Sequence, residues 1–153
     1  MDRVFEYEIP VWHPIAVHFP IVLLLAAAGC VLVWMVADSR ALLRASAVLA
    51  FLGSAAALIA KQTGEQMEEE AAGSAIVESM LEIHESAADG VFVAAVALTA
   101  LLCLVLLGDR WWPDRAGTPW GIRLALALLA VATAALVVWT GHVGGIMVWG
   151  VAA

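Results

Sequence analysis

The sequence predicts an all-α fold: an integral membrane four-helix bundle, threaded up-down-up-down, forming a single domain over residues 1–153. Three observations predict it. Of the 153 residues 64% are hydrophobic and only 14% are charged, against about 45–50% and about 25% in a soluble domain, so there is too little polar surface to coat a water-soluble particle. The apolar residues gather in four long runs, Ile15 to Ala37, Ala45 to Ala60, Val91 to Leu107 and Leu124 to Thr140. No run alternates with the period of two that a half-buried strand shows, and in lipid a segment must satisfy its own backbone polar groups, as a helix does. The same composition excludes disorder, collagen and a disulfide scaffold, and seven Lys and Arg residues exclude a nucleic-acid surface.

The hydrocarbon core needs roughly 20 helical residues. Flanking residues bring the spans to approximately 15–37, 41–60, 85–108 and 121–141. Asp38 to Arg44 is a tight hairpin, Asp109 to Arg123 a longer connection with Pro113 and Pro119, and 61–84 an acidic outer loop. An even number of spans puts both termini on the side of that loop. The two short connections hold Arg40, Arg44, Arg110, Arg115 and Arg123, whereas the opposite side has only Arg3 and Lys61 against eleven carboxylates. The excess of arginine places the short connections in the cytoplasm and both termini on the outer, periplasmic side of a bacterial inner membrane. Trp34, Trp111, Trp112 and Trp120 fall near the inner interface, and Trp12, Trp139 and Trp149 near the outer one. Asp2, Glu6 and Glu8 beside Arg3 do not make the basic start of a signal peptide. Cys30 and Cys103 lie deep in their spans as packing thiols.

The first helix opens on His13 and Pro14, with proline suited to the first turn. His18, about one turn inside and above Val22 and Leu25, is expected to face the bundle or a wet cavity rather than lipid. The third helix is expected to start near Ser74 and to project above the membrane. At about 100° per residue, Glu78, Glu82, Glu85 and Asp89 form one stripe, and His84 turns away from it, with Met80, towards the bundle. In the fourth helix Ala127, Ala130, Ala134, Gly141 and Gly145 share a face on which a backbone or a flat cofactor can come close. His142 lies about 60° from its centre. All four histidines, His13, His18, His84 and His142, therefore meet at the outer end.

Two motifs resemble a known family. His13-Pro14-Ile15-Ala16-Val17-His18-Phe19-Pro20 and Thr140-Gly141-His142-Val143-Gly144-Gly145 resemble the HPxxVHFP opening and TGHxGG ending of an uncharacterised family of bacterial four-helix membrane proteins. The resemblance covers nearly the whole chain. It implies four spans and an outward-facing histidine cluster. Joining of relatives to Rieske or c-type cytochrome modules implies redox work. The family usually has Tyr where Trp149 stands.

Three chemistries fit these residues. A b-type haem needs two neutral imidazoles facing each other across an apolar slot. His18 with His84, or His18 with His142, would supply them, aided by His13, Gly141 and Gly145. Such a haem would exchange electrons with quinol or a periplasmic cytochrome. A copper, zinc or iron ion on His18, His84, His142 and Met80 is the second, with Met67 and Met147 also at this end. In the third the histidines only cap helices, and the chain is an accessory subunit of a larger membrane redox complex, offering Glu68-Glu69-Glu70 to a basic partner. No phosphate loop, nucleophile elbow or HExxH motif is present, which argues against an enzyme acting on its own.

Overall fold

The computed structural model describes residues 12–71, 75–111 and 117–150. Those residues fold into α1 (His13–Ala16), α2 (His18–Ala37), α3 (Arg40–Ala71), α4 (Ala75–Trp111) and α5 (Trp120–Trp149). Four helical stretches are long and apolar enough to cross a membrane: His13–Ala37, Arg40–Glu68, Val77–Gly108 and Trp120–Trp149. The first of these joins α1 to α2. Pro20 has no N–H to give the Ala16 carbonyl, and helical regularity lapses at Val17 between them. The acidic residues near the termini, Asp2, Glu6 and Glu8, and the expected helix start at Ser74, lie outside the described residues.

The acidic segment 61–84 is not a loop for most of its length. Lys61 to Ala71 continues α3, and α4 begins at Ala75. Its Lys, Gln, Met and Glu residues favour helix about as strongly as leucine does, so nothing stops α3 where its apolar run ends.

The bundle consists of two helical hairpins. The α2 helix packs on α3 and α4 on α5, and the hairpins meet through α3 against α4 and α2 against α5. The buried positions recur at alternating intervals of four and three. They are Pro20, Leu24, Ala27, Val31 and Trp34 in α2. In α3 they include Leu43, Ala47, Ala50, Ser54 and Ala57, and in α5 Leu126, Ala130, Thr133 and Val137. A repeat of 3.5 residues rather than 3.6 keeps a seam facing its partners only if the helices supercoil to the left. Alanine at many seam positions lets the backbones approach closely. Gly53 marks the tightest point, because a Cβ there would stand 2.6 Å from Leu24 Cδ2. The polar residues in the seam bond locally: Ser54 donates to the Ala50 carbonyl and lies 3.2 Å from the Thr99 hydroxyl, and Thr133 donates to the Leu129 carbonyl.

Away from the seam Val22, Val36, Val93 and Leu128 each leave more than 60% of their surface uncovered, as residues facing lipid tails do. Cys30 and Cys103 are free thiols, half-buried and exposed respectively. One end of the bundle carries the turn between α2 and α3. Asp38 caps α2 there in the left-handed conformation, at φ 49°, which a short polar side chain tolerates. Arg123 pairs with Asp38, donates to the Thr118 carbonyl and lies over the Trp34 ring. This arginine end ties the two hairpins together. The opposite end carries all four histidines.

Candidate functional site

At the histidine end the structure separates the four imidazoles into two kinds. His13 and His84 are half-buried, and their rings face each other with centroids 6.4 Å apart and planes at 83°. His18 and His142 are exposed. His18 turns back on its own helix, donating from Nδ1 to the Pro14 carbonyl at 2.6 Å. His142 leans on Trp139, with centroids 6.1 Å apart. It ends an open groove of about 580 Å³ on one side of α5, also lined by Val131, Ala134, Ala135, Val138 and Trp139.

Both members of the pair lie against a glycine on the second helix of their own hairpin. His13, on the first helix of one hairpin, donates from Nδ1 to the Ala60 carbonyl of α3 at 2.9 Å. Thr63 Oγ1 is 3.4 Å from the same nitrogen and itself donates to the Ala60 carbonyl. Gly64, one turn beyond Ala60, leaves the room the ring occupies, since a Cβ there would stand 3.2 Å from His13 Cε1. His84, on the first helix of the other hairpin, packs against α5. Gly144, one turn beyond Thr140, leaves room for it, with a Cβ there 3.2 Å from His84 Cε1. In each hairpin, then, a glycine on the second helix makes room for an imidazole from the first, and for His13 a carbonyl four residues earlier holds the ring as well.

This seating fixes which nitrogens are left over. Because a carbonyl can only accept, His13 carries its proton on Nδ1, and in the neutral ring Nε2 keeps a lone pair. His84 Nδ1 is buried with no hydrogen-bond partner. A buried polar atom without a partner costs about 1–3 kcal/mol. The facing rings stand too far apart for a direct bond between them, which needs donor and acceptor within about 3.2 Å. Two metal–nitrogen bonds of about 2.0 Å, with a ring radius of roughly 1.15 Å added at each side, would set the centroids about 6.3 Å apart. The observed separation is 6.4 Å. The centroid separation thus matches one ion held in line between a nitrogen of each ring.

Several expected placements change. The inward histidine of the opening motif is His13, not His18. Counting by sevens along the seam joins His13 to Pro20, Ala27 and Trp34, all buried, whereas His18 continues into Leu25 and Leu32, which are 38% and 40% exposed. His84 does turn inward, in register with Val91 and Leu98. Gly141 and Gly145 are exposed, and a Cβ on either would meet nothing within 4 Å. The face that Gly141 and Gly145 share with Ala127 and Ala130 follows a 3.6-residue period. The real seam turns about 20° per heptad away from that line, so by the end of α5 it has moved to Val137 and Gly144. The pairings of His18 with His84 or His142 are therefore not formed. Gly64 and Gly144, absent from the expected site, lie in the same sevenfold register as Ala50 and Ala57, and as Ala130 and Val137.

Met80 sits one turn outward of His84 on the same face of α4. Met67 and Met147 sit one turn outward of Gly64 and Gly144 in the same sense. All three are half-buried. Among the described residues no three His, Cys, Asp or Glu side chains gather as a metal-binding group. On α4, Asp89 pairs with Lys61 of α3, joining the two hairpins close to this end.

No curated protein and no solved structure matches the chain. A sequence model of one family does, over residues 9–153, and it takes in all four spans, His13, His84 and both glycine seats. With nearly the whole chain inside that match, the protein belongs to the DUF2231 family of predicted membrane proteins.

Proposed function

We propose that the chain is a small redox-associated membrane protein that holds one metal centre between His13 and His84. One observation carries this reading: two imidazoles from different hairpins face each other at 6.4 Å, one of them with a buried nitrogen that has no partner. The iron of a single b-type haem is one form of the centre, supplying one-electron exchange with quinol or a periplasmic cytochrome. A bare transition-metal ion on the same two nitrogens is the other, and the methionines above the pair favour it. In either form the Ala60 carbonyl orients His13 and keeps its Nε2 unprotonated, as partners of ligating histidines do. The charge bias supports a cytoplasmic arginine end and a periplasmic histidine end.

Optical spectra and elemental analysis of the detergent-purified protein test the reading. A Soret band with reduced α and β bands, or one equivalent of a transition metal, is expected. His13→Ala and His84→Ala should lose it, while His18→Ala and His142→Ala should retain it. A protein that carries neither haem nor metal, and purifies only as part of a larger complex, would instead be an accessory subunit.

A further inference from the structure

We infer that the two-histidine site takes copper(I), with Met67, Met80 and Met147 forming a thioether layer one turn above it. The inference rests on the metal-centre reading and goes on to name the ion. Its first support is the donor count. Zinc in protein sites is almost always four-coordinate, and the described residues bring no third His, Cys, Asp or Glu to the pair. Hard ions such as magnesium, calcium and manganese want oxygen donors. A soft, closed-shell monovalent ion accepts two imidazoles, and thioether sulfur complements it.

The second support is the placement of sulfur. The chain has five methionines. Three of them, on α3, α4 and α5, occupy the turn immediately outward of Gly64, His84 and Gly144, each on the face that meets the pair and each half-buried. An ion entering from the histidine end passes that level before it reaches the nitrogens. The third support is the free nitrogen. His13 Nε2 keeps its lone pair because Nδ1 donates to Ala60, and His84 Nδ1 is buried with no hydrogen-bond partner, so an ion at either nitrogen displaces no hydrogen bond.

The test is a copper(I) titration of the full chain in detergent under anaerobic conditions, with bicinchoninate as competitor and zinc(II) in parallel. One equivalent of copper(I) is expected, held at least tenfold more tightly than zinc. X-ray absorption should show nitrogen at the metal with added sulfur scattering. His13→Ala and His84→Ala should abolish binding, and the Met67→Leu/Met80→Leu/Met147→Leu variant should weaken it at least tenfold. Leucine keeps the volume of methionine, and an unchanged gel-filtration profile shows that the bundle persists. Equal affinity in the triple leucine variant, or copper(I) retained without both histidines, overturns the inference. A stoichiometric haem lost in the His13 and His84 variants overturns copper but leaves the metal-centre reading standing. Absence of every ion and of haem removes both.

Discussion

His13 and His84 are set by atoms rather than by whole faces. Each ring lies against a glycine of the neighbouring helix, with only 3.2 Å between its Cε1 and the place a Cβ would occupy. Valine at either glycine would have to push the imidazole out of its seat. Gly64→Val and Gly144→Val are therefore expected to reduce cofactor retention at least tenfold in purified protein. Gly141→Val and Gly145→Val, where an added carbon meets nothing within 4 Å, should leave retention unchanged. Equal losses at all four glycines would mean that helix propensity, not the seat, is responsible. His18 and His142 differ from the pair by register alone, and each has an outlet that keeps it off the axis of the bundle: the Pro14 carbonyl for one and the Trp139 ring for the other.

At the scale of the elements, Gly53 of α3 lies hard against α2. A Cβ on Gly53 would come within 2.6 Å of Leu24 Cδ2 and 2.8 Å of its Cγ, and Leu24 is fully buried. Overpacking of this kind costs about 1–3 kcal/mol. Gly53→Val should lower the thermal unfolding midpoint by several degrees relative to Gly29→Val, whose added carbon reaches nothing within 4 Å. The four helices and the gathering of histidines at one end could be read from hydropathy and threading. Which histidines turn inward could also have been read, but only with a 3.5-residue period. Leu43, Ala50, Ala57 and Gly64 already spell that period in α3, as His84, Val91 and Leu98 do in α4. A 3.6-residue wheel is adequate for the two or three turns around His84, and it placed that residue correctly. Over the longer reach of α5 its error accumulates and moves Gly141 and Gly145 on to the wrong face. The carbonyl seat at Ala60 left no mark in the sequence, because any residue supplies a carbonyl.

For the whole molecule, charge and burial separate two ends with different tasks. The arginine end closes the hairpins together through Arg123 and Asp38, and the histidine end presents the pair. In a Cys30→Ala/Cys103→Ala background, a membrane-impermeant maleimide should label Gln66→Cys in intact cells and Ser39→Cys only after permeabilisation. The reverse pattern would invert the assignment of the ends. The repeated seating has a further consequence. Each hairpin contains one imidazole with its own glycine seat, so each can insert and pack with its ring already placed. Neither hairpin alone has two facing nitrogens. A metal site between the two rings would be a product of docking, and its occupancy would report whether the two halves had met. Cleaved between α3 and α4, the chain would give two fragments that are individually blind to the ion and that recover it only as a complex.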